Sequence, residues 1–299
     1  MQFFSPTERF MRLLLIACAA AARTAASASN AHDDDALPTT NYTVDGYAPL
    51  RKRDAKYLNP AKNAPAGQVH WRQRALERAM DLCKRGKLNC GSMDLYQFGV
   101  FTGRSMRGIS LALNKSNTPF RRFWGFDSFQ GLPDEDLALA ADAKYARAQQ
   151  DNWRPGLFNA ADIYNVHSFH ALQKQIRHYI NDTRCEFVRG FFNESLTPTL
   201  AARRGMRPAL YVDIDADLYS SSLQALSWLF AMRLVVPGTV IGYDDWTFGG
   251  AQGEQRAHRE VMKRYGVETS NVHCRPTNAC FEVVKLGGDG GPTTTKDPQ

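Results

Sequence analysis

The 299-residue sequence predicts an α/β fold in which a mainly parallel central sheet is flanked by helices. Short apolar segments recur along the chain, and helical patterns separate the later ones, which is the alternation typical of parallel sheets. The first apolar segment runs into a glycine-bearing turn and then a helical pattern, in the order strand, turn, helix. With 43% hydrophobic and 22% charged residues, the chain has the composition of one globular domain with tails.

The predicted elements follow one another in a regular order. An amphipathic helix covers residues 71–87, with Gly86 near its end, because apolar side chains recur there among arginine, glutamate and lysine. The first strand is predicted at 95–100, and the helix after its glycine-bearing turn covers 106–113. Further strands are predicted at 123–126, 185–188, 209–214, 239–243 and 281–284, and further helices at 164–180, 219–233 and 251–265.

The net charge raises the question of a polyanionic partner, since it is formally +7. The basic residues are dispersed, however, and only residues 51–53 and the cluster of Lys84, Arg85 and Lys87 are locally dense. No stripe of alternating basic and aromatic residues is present. The charge therefore predicts a solvated surface and no nucleic-acid partner.

Residues 1–28 predict a targeting segment. Arg9 and Arg12 precede an uninterrupted apolar run at 13–22, and small residues follow it. The run is too short for a stable transmembrane span. We expect a secretory signal, and a mitochondrial or plastid transit peptide is the alternative that the alanine, serine and arginine content leaves open. The secretory route and a glycoprotein are favoured by N-x-S/T sequons beginning at Asn41, Asn114, Asn181 and Asn193.

The remaining boundaries follow from composition. Residues 29–65 mix an acidic run, prolines and a basic cluster without periodicity, which predicts a linker or N-terminal arm. The folded domain is expected at 66–286, followed by a disordered tail at 287–299 that is rich in glycine, threonine and proline. The oligomeric state is left open, with a homodimer as one option.

Five cysteines would remain after removal of the targeting segment. They include two short-range pairs at spacings that a disulfide can close, with buried free thiols as the alternative. Their odd number and the absence of a C-x-x-C pattern argue against a zinc site. The five are Cys83, Cys90, Cys185, Cys274 and Cys280.

The first chemical signal is the segment 97–103, where a strand turns into a helix. Gly99 and Gly103 let the backbone approach a ligand, and the helix N-terminus beyond them presents amide groups to an anion. Such a spacing alone also fits a tight turn that serves packing. Asp127 ends the next strand, where nucleoside-binding folds hydrogen-bond the ribose, although a helix cap or turn residue is its other interpretation. The two linked features predict a nucleoside cofactor.

The second signal is a concentration of aspartates at the ends of two later strands. Asp213, Asp215 and Asp217 alternate along the chain, which would place their carboxylates on one face. Asp244 and Asp245 end the following strand. Carboxyl ends of neighbouring parallel strands border one crevice, and like charges gather there when a cation or protons neutralise them. A hard, oxygen-ligated ion such as Mg²⁺ is therefore predicted, with separate strand-end caps on solvent as the alternative.

Four ordered motifs resemble the macrocin O-methyltransferase family, whose members methylate sugar hydroxyls on antibiotics. The likeness extends over roughly residues 92–265. Four segments that follow one another in the family's order carry it. They are FDSFQGLP at 126–133, GFF at 190–192, DADLY at 215–219, and the Pro237-Gly238 turn followed by Asp244-Asp245.

The resemblance implies a Rossmann-like S-adenosylmethionine-dependent methyltransferase that acts on a hydroxyl of a sugar or related polyhydroxy molecule, free or in a glycan. It further implies Mg²⁺, or a similar divalent cation, at Asp215, Asp244 and Asp245, with Asp217 as general base. An alcohol is a poor nucleophile at neutral pH, and a metal that binds its oxygen lets a carboxylate take its proton. The implied contacts of S-adenosylmethionine are Gln97, Gly99, Gly103, Ser105, Asp127 and Ser128.

Three residues depart from the family's pattern. Gln97 stands where the family usually has glutamate, which removes a charge but keeps an amide that forms hydrogen bonds. Ala216 replaces glycine, which is a minor steric change. Asp213 is an additional acid, interpreted as an outlying residue, a metal ligand or the partner of an arginine.

His258 follows the Asp244-Asp245 loop and is a candidate second base, although a surface position is favoured for it.

Two other functions share some of these features. A luminal glycosyltransferase would also have an N-terminal apolar segment, sequons and an Asp-x-Asp motif. The order of motifs argues against it, because the glycine turn and Asp127 precede the acids, as an adenosyl site needs. The other alternative is a catalytically inactive binding protein with the same fold, for which Gln97 is the main support.

Overall fold

The computed structural model describes residues 35–37, 72–134, 153–247, 252–274 and 277–287. The predicted targeting segment, most of the predicted linker, the sequon at Asn41 and the tail beyond residue 287 lie outside these residues. Asp35 and Ala36 fall in a separate N-terminal unit. The unit that begins at Leu37 contains all the helices and strands considered below.

Seven strands form one sheet. They are β1 (Asp94–Phe98), β2 (Phe123–Asp127), β3 (Cys185–Arg189), β4 (Ala209–Ile214), β5 (Val240–Tyr243), β6 (Glu268–Asn271) and β7 (Ala279–Lys285). Their order across the sheet is β3-β2-β1-β4-β5-β7-β6. The strands β1 to β5 pair in parallel, and β7 runs antiparallel to both β5 and β6. The predicted α/β fold with a mainly parallel sheet is confirmed.

Helices cover both faces of this sheet. They are α1 (Arg72–Lys84), α2 (Arg104–Lys115), α3 (Ala160–Tyr164), α4 (Phe169–Ile180), α5 (Phe192–Ser195), α6 (Leu200–Arg204), α7 (Tyr219–Ala231) and α8 (Glu254–Tyr265). None of the helices within the described ranges combines the length and apolar character needed to cross a bilayer.

Alternating residues of the strands feed two hydrophobic cores. Along β1, Tyr96 and Phe98 belong to the core that α7 and α8 cover, whereas Leu95 belongs to the core under α1, α2 and α4. Because both faces of the sheet are covered, β1 and β4 are buried at every residue. Polar groups at the carboxyl ends of these strands are thereby held on a rigid support.

Both short-range cysteine pairs form disulfides, as the spacing predicted. Cys83 is joined to Cys90, which ties the end of α1 to the short 3₁₀ turn before β1. Cys274 is joined to Cys280, which closes the loop between β6 and β7. Cys185 is a buried free thiol.

Candidate active site

The turn between β1 and α2 comes very close to the end of β4. Gly99 has a φ of +90°, and a Cβ atom there would lie 1.8 Å from the carbonyl oxygen of Asp215. Gly103 has a φ of +79°, and a Cβ atom there would lie 2.8 Å from Ile176 on α4. The positive φ favours glycine at both positions, and at Gly99 the overlap with backbone atoms requires it. Gly99 lets the turn reach the end of β4, and Gly103 lets the start of α2 pack against α4.

Asp127, the last residue of β2, organises the same turn. Its Oδ2 accepts hydrogen bonds from the backbone N–H groups of Val100, at 2.7 Å, and Phe101, at 2.8 Å. Its Oδ1 accepts one from the N–H of Phe129 at 2.6 Å. Burial raises the pKa of Asp127, and these three donors oppose that rise. Contact with a ribose stays a prediction, which the carboxylate's place beside the glycine turn favours.

The other predicted cofactor residues have defined places near this turn. Gln97 is fully buried, and its amide donates a hydrogen bond to the carbonyl of Gly99 at 2.7 Å. The hydroxyl of Ser128 donates to the carbonyl of Gly131 at 2.7 Å. Ser105 Oγ lies 3.5 Å from Asp215 Oδ2, so this side chain faces the acids. Contact between the three side chains and a cofactor stays a prediction.

The predicted metal ligands come together at the carboxyl ends of β4 and β5. One carboxylate oxygen from each of Asp215, Asp244 and Asp245 lies within 4.8 Å of the others, and all three residues are half-buried. Oxygen donors of this kind suit Mg²⁺ and similar hard cations, so the residues present fit such an ion. We call the surrounding set of carboxylates the acid cluster. It consists of Asp213, Asp215, Asp217, Asp244, Asp245 and Glu254.

The acid cluster gathers several carboxylates in a place where burial limits their solvation. Burial raises the pKa of Asp215 well above its ordinary value, and Asp244 raises it further. Burial and Asp244 also raise the pKa of Asp245, to about 6. The pKa of Glu254 is raised well above its ordinary value by burial and then by the neighbouring acids. Crowded carboxylates of this kind favour bound protons or a bound cation.

Asp217, the predicted base, lies beside the three predicted ligands. Its backbone has a φ of +58°, a left-handed conformation that turns it out of the alternation of β4. Trp153 Nε1 donates a hydrogen bond to Asp217 Oδ1 at 2.8 Å. Burial and the adjacent Asp245 raise the pKa of Asp217, and the bond from Trp153 opposes that rise. Unfavourable backbone conformations of this type cluster at functional sites.

A buried arginine that the sequence did not reveal lies among these acids. Arg72 Nε contacts both oxygens of Asp213, at 2.9 and 2.8 Å, and Nη2 contacts Asp215 Oδ2 at 2.7 Å. Of the interpretations left open for Asp213, the structure therefore supports pairing with an arginine. A periodic signal was available, because Arg72 lies on the buried face of α1 with Ala75, Leu76 and Ala79.

Two more residues missed by sequence reasoning hold the turn after β5. Glu254 Oε2, at the start of α8, accepts a hydrogen bond from the N–H of Asp245 at 3.0 Å. Asn278, just before β7, donates to the backbone carbonyl of Asp244 and, at 3.0 Å, to its Oδ1. The Asn278 contact depends on the pairing of β7 with β5, whereas Glu254 follows Asp245 closely in the chain, at the start of the next helix.

His258 packs in the core instead of lying on the surface or facing the crevice. Its Nδ1 shares a hydrogen bond of 2.9 Å with the hydroxyl of Tyr243, and its ring stacks on Phe281 with centroids 4.4 Å apart. Burial, aided by Arg259, lowers the pKa of His258 to about 4. These contacts show that His258 packs within the core. They do not support a role for it as a second base.

The sheet order, the glycine turn after β1 and the acid that ends β2 together define the Rossmann-like fold of S-adenosylmethionine-dependent methyltransferases. Within that class, the profile of the macrocin-O-methyltransferase (TylF) family matches residues 70–271, more than half of the chain. The chain belongs to this family.

Individual proteins are also similar to this chain. A Streptomyces olivaceus protein named 8-demethyl-8-(2,3-dimethoxy-alpha-L-rhamnosyl)-tetracenomycin-C 4'-O-methyltransferase is 25% identical over 174 residues, 58% of this chain and 59% of that protein. The chain thus matches about three-fifths of that relative's length. The O-methyltransferase NovP has a TM-score of 0.51 at 21% identity, covering 71% of this chain and 79% of that one. A calicheamicin methyltransferase has a TM-score of 0.52 at 21% identity, covering 78% of this chain and 91% of its own.

Proposed function

We propose that this protein is an S-adenosylmethionine-dependent O-methyltransferase whose acceptor is a hydroxyl of a sugar or related polyhydroxy molecule. The observation that carries the proposal is the close approach of Gly99 to Asp215, which sets the glycine turn beside the acid cluster. Membership of the family supports the reaction class. The name of the Streptomyces olivaceus relative, a 4'-O-methyltransferase of a rhamnosyl compound, supports a sugar hydroxyl as the acceptor.

The proposed place for S-adenosylmethionine is the turn between β1 and α2. Gly99 keeps the turn free of a side chain where it reaches the end of β4, and the first N–H groups of α2 are the proposed partners of the carboxylate end of the ligand. Asp127 is the proposed partner of the ribose hydroxyls. Gln97 and Ser128 shape the two turns that border this place, and Ser105 lies between it and the acid cluster.

Asp215, Asp244 and Asp245 are the proposed ligands of Mg²⁺ or a similar divalent cation. When bound, such an ion supplies Lewis acidity that lowers the pKa of an acceptor hydroxyl. Glu254 and Asn278 support Asp244 and Asp245 by fixing the backbone of the turn after β5 that carries these two proposed ligands.

Asp217 is the proposed general base. Trp153 fixes its carboxylate beside the three proposed ligands, where it takes the proton of the acceptor hydroxyl. The acceptor oxygen then forms a bond to the methyl carbon, the carbon–sulfur bond breaks, and its electron pair goes to sulfur to give S-adenosylhomocysteine. Alignment of the three reacting atoms is the main requirement of this step, and a rigid sheet edge supplies it.

The test is a transfer assay with methyl-labelled S-adenosylmethionine and a panel of glycosides and glycans, with Mg²⁺ or with chelator. We expect label in a sugar product with Mg²⁺ and none with chelator. Calorimetry with S-adenosylhomocysteine separates the alternatives. Binding without transfer to any acceptor would favour an inactive binding protein. Tight binding of a uridine diphosphate sugar, with no response to S-adenosylhomocysteine, would contradict the proposal.

A further inference from the structure

Arg72 joins two aspartates that differ in exposure and in proposed role. Asp213 is wholly buried within β4, whereas Asp215 is half-buried at the end of that strand and is a proposed metal ligand. We propose that Arg72 is a positioning residue of the metal site. Anchored by Asp213, its guanidinium holds Asp215 in the orientation that binds a divalent cation. This inference rests on the proposed function.

Asp213 is suited to be an anchor and not a ligand. Both of its oxygens contact Arg72 Nε, and Oδ1 also accepts a hydrogen bond from the hydroxyl of Tyr211 at 2.8 Å. Burial alone would lower the pKa of Arg72, but the neighbouring carboxylates hold it above its ordinary value. The arginine is thus charged, and its planar fork fixes where Nη2 points.

The contacts on Asp215 leave one of its oxygens available. Arg72 Nη2 and Ser105 Oγ both approach Oδ2, at 2.7 and 3.5 Å. Within the described residues, no hydrogen bond reaches Oδ1. Arg72 Nη2 is also 3.9 Å from Asp244 Oδ2, so the guanidinium borders two of the three proposed ligands. Partners that hydrogen-bond a ligating carboxylate in this way set its orientation and tune metal affinity.

The positive charge of Arg72 does not neutralise the negative charge of the proposed metal site. Arg72 and Asp213 form a neutral pair, which leaves Asp215, Asp244 and Asp245 to attract a divalent cation. The arginine is also presented from a fixed support, because α1 packs on the sheet and the Cys83–Cys90 disulfide ties down its far end. Neutrality and rigidity together favour positioning over simple competition with the ion.

The experiment measures Mn²⁺ binding by electron paramagnetic resonance on the whole protein, which reports the site without turnover. Arg72→Met should weaken binding about tenfold or more. Arg72→Lys should recover part of this loss, because it keeps the charge but lacks the fork that bridges two carboxylates. The double variant Arg72→Met/Asp213→Asn leaves no unpaired buried charge, so it should fold and still bind weakly.

Arg78→Met is the matched control. Arg78 lies on the same helix and pairs with Glu282 on β7 at 2.6 Å, so its loss loosens α1 without touching the acid cluster. We expect its Mn²⁺ affinity to stay within about threefold of the unmodified protein.

Three results would overturn the inference. The double variant binding Mn²⁺ as tightly as the unmodified protein would show that Asp215 needs no arginine. A loss in Arg78→Met equal to that in Arg72→Met would assign the effect to helix docking. An unmodified protein that binds S-adenosylhomocysteine but no Mn²⁺ would remove the metal site itself, and with it the role of Arg72. Only this last result also contradicts the metal part of the proposed function.

Discussion

Asp217 sits in a backbone conformation that few side chains adopt readily. Its φ of +58° costs about 1 kcal/mol for most L-residues, whereas asparagine and aspartate tolerate it better than others. The same conformation directs the carboxylate toward Trp153 and Asp245. The strain is therefore coupled to the placement of the proposed base, and the residue suits a substitution test, since asparagine fits the same backbone.

We expect Asp217→Asn to reduce methyl transfer by about 10²-fold or more, because an amide cannot take the proton of the acceptor. Affinity for S-adenosylhomocysteine should stay within about twofold, since the glycine turn and Asp127 are unchanged. Single-turnover transfer of a labelled methyl group and calorimetry measure the two quantities. Trp153→Phe, which removes only the indole donor, should cause a smaller loss. A fully active Asp217→Asn protein would mean that another group accepts the proton.

Gly99 allows a test of the contact between the glycine turn, where the cofactor is proposed to bind, and Asp215 of the acid cluster. Gly99→Ala should destabilise the protein by more than about 3 kcal/mol, because unfavourable φ is added to overlap with the carbonyl of Asp215. Gly205→Ala is the control, since Gly205 has a φ of +60° with nothing within 4 Å of an added Cβ. It should lose only about 1 kcal/mol. The free energy of unfolding in urea measures both, and equal losses would show that the turn can move away.

Among single residues, those within strong local motifs were predictable from the sequence. The residues that hold them in place were not. Asp215, Asp244 and Asp245 end neighbouring parallel strands, and their convergence follows from that fact alone. Arg72 and Asn278 are supports whose partners lie far away in the sequence. Only Arg72 left a trace, as a charged residue at a buried helical position.

Among the elements, the strands β1 to β5 and the β7 segment at 281–284 were predictable from the sequence, whereas β6 and the antiparallel direction of β7 were not. The strands β1 to β5 are apolar runs, because both faces of the sheet are covered. The strand β6 reads Glu-Thr-Ser-Asn and is largely exposed, so no apolar pattern marks it. The direction of β7 depends on its short connection from β6 and its pairing with β5, which periodicity does not report.

The opposite edge of the sheet is protected by arginines. The strand β3 forms that edge, and Arg177 and Arg204 donate hydrogen bonds to its carbonyls at Cys185 and Phe187. Charged side chains over an edge strand discourage pairing with another chain. Part of the positive charge of the chain thus has a structural use at this edge of the sheet.

Asn278, just before β7, contacts Asp244, a proposed metal ligand, and its role as a support can be tested. Asn278→Ala should weaken Mn²⁺ binding about tenfold, because Asp244 loses the donor to its carboxylate and its backbone carbonyl. Lys285→Ala removes an exposed ion pair with Glu268 at the far end of the same hairpin and serves as control. Its affinity should match that of the unmodified protein. Equal affinity in Asn278→Ala would show that β5 alone positions Asp244.

Over the whole molecule, the two disulfides lie on elements that carry supports of the acid cluster. Cys83–Cys90 ties the helix that presents Arg72, and Cys274–Cys280 closes the loop that presents Asn278. Each closes a short loop, a constraint that stabilises by about 2 kcal/mol in the chain-entropy description. Such bonds persist in oxidising compartments. Sequence spacing indicated the pairs, but only the fold shows what they support.

These bonds support a secretory route, which we propose for this chain. The sequons at Asn114, Asn181 and Asn193 are all exposed, so each is accessible to a glycosyl donor. Expressed in a secretory cell with residues 1–28 in place, the protein should lose mass on treatment with peptide N-glycosidase. Asn181→Gln should reduce that mass loss by the mass of one glycan.

The disulfides can be tested by mass spectrometry after alkylation. The four paired cysteines should be protected, and Cys185 should be alkylated only after unfolding, because its thiol is buried. An unglycosylated protein with reduced cysteines, recovered from mitochondria or plastids, would instead support a transit peptide.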